Sequence, residues 1–123
     1  MNVKINELVN SFQTLNSLSN KELPAKVSFR LSKIIKQVSE NVKYFDETKA
    51  KILEQNNAPK NEEGNFNLEE LDSENLENIN KEFGELLEEE VEIEANKINI
   101  DDLEEIDISP AEIARLEWLI EES

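Results

Sequence analysis

The sequence predicts a mainly α protein: a helical hairpin, two further helices, and a minor two- or three-stranded β element near residues 91–100. Three observations lead there. Apolar residues recur at steps of three and four over 5–18 and again over 24–55, the period of one helical face. The segment Ser19-Asn20-Lys21-Glu22-Leu23-Pro24 interrupts the two runs, so they fold back on each other as a hairpin. Strict apolar–polar alternation appears only in Val91-Glu92-Ile93-Glu94 and Lys97-Ile98-Asn99-Ile100. An all-helical bundle is the alternative. At 123 residues the chain suits one domain, divided into a basic helical half (1–55), a loop (56–66) and an acidic half (67–123).

The first helix presents Ile5, Leu8, Val9, Phe12, Leu15 and Leu18 on one side, although Val3 and Ile5 could instead supply a third strand. Pro24 opens the second helix, where a missing N–H costs nothing. That helix is expected to run to about Gln55, with Val27, Leu31, Ile34, Val38, Val42, Phe45, Ile52 and Leu53 inward. Asn, Pro and Gly then crowd into 56–65, the composition of a loop. Asp72 or Ser73 caps a third helix reaching about Glu89, with Leu76, Ile79, Phe83, Leu86 and Leu87 on its apolar face and Gly84 as its weak point. Ser109-Pro110-Ala111-Glu112 has the form of a capping box with proline at the first helical position. It starts a terminal helix carrying Ile113, Leu116, Trp118, Leu119 and Ile120.

Composition removes whole classes of chemistry. With no Cys and no His, thiolate nucleophiles, imidazole acid–base catalysis and the usual zinc sites are unavailable. Only two glycines occur, in neither a phosphate loop nor a nucleophile turn. The 29 acidic residues include no calcium-loop spacing and no singled-out catalytic pair. No enzyme activity, cofactor or metal is therefore expected. No apolar run is long enough to cross a bilayer, so the expected location is the cytoplasm.

The net charge of -16 is unevenly distributed. Residues 1–60 hold ten Lys/Arg against six Asp/Glu, a net +4, and residues 61–123 hold three against 23, a net -20. An acidic face made of Glu85, Glu88, Glu89, Glu92, Glu94, Asp101, Asp102, Glu104 and Glu105 should attract a protein partner with a basic surface and repel nucleic acid. A basic stripe of Lys26, Arg30 and Lys33, extended by Lys36 and Lys43, is expected chiefly to neutralise that acidic half within the chain, with a partner contact as the second role. Trp118 is either a core residue or an interface anchor. Phe29, Ile35 and Tyr44 lie off the inward stripe of the second helix, so either the third helix or a second copy covers them; a homodimer is expected.

The segments Leu23 to Lys33 and Ile108 to Ile113, with the Glu-rich tract from Glu85 to Lys97 between them, resemble small acidic proteins encoded by tailed bacteriophages and prophages. The resemblance covers most of the chain. It implies a setting, the host cytoplasm or the virion, and brings no activity, cofactor or site residue with it. Together these readings give a non-catalytic accessory protein that binds a protein partner, in virion assembly or in blocking a host factor. The alternative is an acidic nucleic-acid mimic that fills the groove of a host defence or replication protein.

Overall fold

The N-terminal helix is the element on which the others are assembled. The structure, a computed structural model, describes residues 1–69, 71–104 and 106–122. Strand β1 (Asn2–Lys4) leads directly into α1 (Ile5–Ser19), and α2 (Ala25–Gln55) returns along it to form the hairpin. Helix α3 (Ser73–Glu88) packs on both, and strands β2 (Glu90–Glu92) and β3 (Ile98–Asn99) follow. A 3-10 turn (Ile100–Leu103), helix α4 (Pro110–Arg115) and strand β4 (Ile120–Glu121) complete the chain. The fold is thus mainly α with a minor β component.

The buried side chains of α1 explain its central place. Ile5, Leu8, Ser11, Thr14, Leu15 and Leu18 are all buried. At about 100° per residue they span roughly half of the helix circumference, far more than a stripe facing one neighbour. One flank meets α2, and the rest meets α3 and α4. The inward stripe of α2 is almost the expected one: Val27, Leu31, Ile34, Val38, Phe45 and Ile52 are buried, with Val42 and Leu53 half-buried. Its first half joins Leu8, Leu15, Leu18, Ile93, Ile98, Leu103, Leu116 and Leu119 in the main core. Further along α2, α3 closes over the helix with its buried Ile79. There Lys49 Nζ lies 5.2 Å from the Phe45 ring centre and 5.5 Å from that of Phe83, tying the two helices through a cation–π contact.

Local signals account for the starts of α3 and α4. Asp72 caps α3 by accepting the Asn75 N–H at 2.8 Å. Ser109 and Glu112 form the reciprocal capping box of α4, the Glu112 N–H donating to Ser109 Oγ at 3.1 Å and the Ser109 N–H to Glu112 Oε1 at 3.2 Å. Hydrogen bonding from Ser109, its N–H first and its hydroxyl second, holds the Glu112 carboxyl below its ordinary range. Between α2 and α3, Asn57 and Gly64 adopt the left-handed conformation that turns require. The Asn61 side chain accepts the N–H groups of Glu63 and Asn65, closing a small turn bridged from Lys60 to Phe66.

The β component departs from the simplest expectation. The alternating segments around Ala95 do not pair with each other. β1 pairs antiparallel with β2, Val3 opposite Val91, and β3 pairs in parallel with β4, Ile98 opposite Ile120. Val3 is therefore a strand residue while Ile5 begins α1. The expected terminal helix is also shorter. It stops at Arg115, and Leu116 to Leu119 turn instead, because the Leu119 carbonyl accepts the Ile98 N–H at 2.8 Å and Ile120 enters a strand. A helix continued to Ile120 would take these residues out of extended backbone and leave β3 without a neighbour.

Trp118 belongs to this end of the core. It is half-buried, packs against the core cluster, and its indole Nε1–H donates to Ser11 Oγ at 3.3 Å. The Ser11 hydroxyl in turn donates to the Leu8 carbonyl at 3.2 Å. This relay gives the indole a partner and gives the buried serine a reason to be polar.

Two stability measurements check this architecture. Leu8→Ala should cost about 2–5 kcal/mol in chemical denaturation, whereas Phe29→Ala, on the exposed face of α2, should stay within about 0.5 kcal/mol of the parent when both are measured as dilute single chains. Equal losses would contradict the assignment of core and surface. Trp118→Phe should cost about 1 kcal/mol for the lost hydrogen bond, with a smaller loss in a Ser11→Ala background. Additive losses would mean that the indole and the serine do not interact.

Candidate protein-interaction surface

The acidic candidates are spread over four consecutive stretches of chain. Glu85 and Glu88 lie at the end of α3, Glu89 caps it, Glu92 and Glu94 lie in and just after β2, and Asp101, Asp102 and Glu104 lie in and just after the 3-10 turn. All eight are exposed. Glu105 lies outside the described residues. Folding brings Asp101, Asp102 and Glu104 around an open cleft with Glu22 and Lys26. Among the described residues no group of three carboxylates is placed to hold a metal ion.

Ion pairing inside the chain uses little of this charge. Among the described residues there are two pairs, Lys4 with Glu88 at 2.8 Å and Lys60 with Glu54 at 3.5 Å. The hydrogen bond and charge of Glu88 hold the Lys4 ammonium above its ordinary range. The expected neutralisation of the acidic half by the basic stripe is not expressed as direct pairing among the described residues. Lys26, Arg30, Lys33, Lys36 and Lys43 form no ion pair among the described residues. Lys26, Lys33, Lys36 and Lys43 are exposed on α2 and Arg30 is half-buried; Lys26 shares a cleft with carboxylates and Arg30 and Lys33 share another with Glu94, in each case without an ion pair. Long side chains standing in water gain little from being fixed in a surface pair, so proximity suffices.

The second cleft is the more apolar surface feature. It has a volume of about 300 Å³ and lies between α2 and the segment 94–96, lined by Phe29, Arg30, Lys33, Ile34, Glu94, Ala95 and Asn96. Phe29 is 63% exposed at its edge, with Lys33 Nζ 4.7 Å from the ring centre. Tyr44 is 65% exposed further along the same helix. Ile35, by contrast, is half-buried against the core. Of the three off-stripe residues, the fold covers Ile35 and leaves Phe29 and Tyr44 to solvent.

One side chain not singled out by sequence patterning builds this cleft. Gln37 Oε1 accepts the Glu94 N–H at 2.7 Å, and Gln37 Nε2 donates to the Glu94 carbonyl at 3.0 Å. A helix side chain thereby takes the place of a neighbouring strand and fixes the chain just after β2 against α2. A glutamine at the border of an apolar stripe gives no sequence signal for such a role.

No family model matches the chain, and neither the characterised proteins nor the solved structures give a match. No helix among the described residues is long and apolar enough to cross a membrane.

Gln37→Ala should free both polar groups of Glu94. Amide exchange at Glu94 and Ala95 is expected to accelerate by about tenfold or more while the rest of α2 keeps its protection. Gln37→Glu keeps the acceptor and loses the donor, so its effect should be intermediate. Unchanged exchange at Glu94 in Gln37→Ala would show that the clamp does not hold this segment.

Proposed function

We propose that this chain is a non-catalytic accessory protein of a tailed phage or prophage that binds a protein partner, in virion assembly or in blocking a host factor. The contact is the acidic face formed by Glu85, Glu89, Asp101 and Asp102 with their acidic neighbours, and the partner surface is basic. The observation that carries this reading is the state of the eight described carboxylates. All are exposed, and only Glu88 is engaged in an ion pair among the described residues. The negative charge of the acidic half is therefore left facing outward, where it steers a cationic partner at encounter and sets the register of the complex.

The placement of these groups favours an extended protein surface over a nucleic-acid groove. They stand on a helix end, a short strand and a 3-10 turn, whereas a mimic of nucleic acid needs rows of charge at regular phosphate spacing. The basic groups of α2 border this face, Lys26 sharing a cleft with Asp101, Asp102 and Glu104.

Capture from phage-infected host cells, with the chain immobilised, tests the proposal. Proteins specific to the wild type should be basic, should elute between about 0.1 and 0.5 M salt as screening shortens, and should be lost with a variant carrying Glu85→Gln, Glu89→Gln, Asp101→Asn and Asp102→Asn. Recovery of capsid or tail components selects the assembly role, and recovery of a host enzyme selects inhibition. A captured set that is unchanged by the four substitutions and by salt would overturn the reading.

A further inference from the structure

We propose that the cleft between α2 and the segment 94–96 is a self-association surface that takes a second copy of this chain across a two-fold axis. Opposite charges meet along one line here without pairing. On one bank stand Arg30 and Lys33 beside the exposed Phe29, and on the other stands Glu94, with Glu92 two residues before it. Neither cation forms an ion pair among the described residues, and Glu92 and Glu94 form none there either. A two-fold axis through such a boundary lays the basic bank of each copy on the acidic bank of the other.

The spacing of the two banks is compatible with that arrangement. Three residues along a helix advance about 4.5 Å, and two along an extended chain advance about 6.7 Å, a difference of about 2 Å. Val91 is half-buried and Ile93 buried, so Glu92 and Glu94, which alternate with them, share the outer side. Arg30 and Lys33, three residues apart on α2, can reach these two carboxylates with their flexible stems. Between the charges, Ile34 and Ala95 floor an apolar cleft of about 300 Å³, and Phe29 at its edge is the aromatic anchor such a seam requires. Gln37 fixes the Glu94 backbone, so the acidic bank is held in place before contact.

The overall charge does not forbid this contact. Repulsion between chains of net charge -16 acts over distances that salt screens to about 8 Å at physiological strength, while groups in contact across the seam lie well within that length. Glu85, Glu89, Asp101 and Asp102, the groups changed in the capture variant, do not line this cleft, so the two tests can fail independently.

Sedimentation equilibrium over a wide concentration range, at physiological salt, tests the proposal. The wild type should approach twice the 14.2 kDa of one chain as concentration rises. Phe29→Ala should weaken the dimer about tenfold or more. Lys33→Glu and Glu94→Lys should each weaken it comparably, because each places like charges across both halves of the symmetric seam. Mixing these last two variants should restore dimers to near wild-type strength, since each heterodimer again pairs opposite charges at both positions. A single-chain mass at every concentration overturns the proposal. So does a dimer indifferent to Phe29→Ala, or one that the mixture fails to restore. Circular dichroism of each variant confirms that these exposed substitutions leave the fold intact.

Discussion

The broad buried arc of α1 is the constraint on which the rest of the molecule depends. A helix buried on one stripe needs one neighbour, but α1 buries residues over roughly half of its circumference. It is shared by the hairpin partner, by α3 and by the C-terminal segment. Ser11 and Thr14 sit within that arc, and small side chains let a neighbour approach closely. The Ser11 hydroxyl then receives the Trp118 indole N–H. The last part of the chain is thus held by the first helix as much as by its own structure. Strand β1, immediately before α1, does the same for the segment after α3: the Ile5 N–H donates to the Glu89 carbonyl at 2.9 Å and Val3 lies opposite Val91.

What the sequence made legible follows from the range of each interaction. Helix periodicity, the Asp72 cap and the Ser109–Glu112 box all depend on residues within one or two turns, so pattern and structure agree to a residue or two. Strand pairing depends on what lies opposite, and alternation carries no information about that. Val91 and Ile98 both read as half-buried strand residues, yet one faces Val3 from the start of the chain and the other packs in register with Ile120 from its end. The terminal helix was over-extended for the same reason. Leu116, Trp118, Leu119 and Ile120 have helical spacing, but the parallel partnership with β3 decides how the backbone after Arg115 spends its hydrogen bonds.

The candidate surface shows a similar division. Sequence located the acidic residues and the basic stripe of α2, and it marked Phe29 and Tyr44 as apolar groups left off the inward face. It could not say whether the two charges would meet. Intramolecular neutralisation is the natural expectation for a chain with a net +4 half and a net -20 half, because opposite charges in one small domain are never far apart. The structure brings them close and leaves them unpaired, with Arg30, Lys33 and Glu94 around one cleft. Desolvating and immobilising such groups gains nothing in a high-dielectric surface layer. Gln37 was invisible for a different reason. Its role lies in two hydrogen bonds to a backbone 57 residues away, and no local pattern distinguishes that from an ordinary solvated glutamine.

Charge segregation and fold topology are linked through α2. The helix is 31 residues long, about 45 Å at 1.5 Å per residue, and a domain of this size cannot cover both faces of so long a rod. One side is spent on α1 and α3, and the rest carries the exposed Lys26, Lys33, Lys36, Lys43 and Lys51 together with Phe29 and Tyr44. The acidic half begins with α3, which packs on this helix, and the chain after α3 is held against it by Gln37 at Glu94. An uncovered basic face and an adjacent acidic rim are consequences of the same economy. The core needs only one side of α2, and the chain that returns to complete that core carries the opposite charge. Surfaces of both signs thus lie side by side on one small domain, with Arg30, Lys33 and Glu94 around the cleft where they meet.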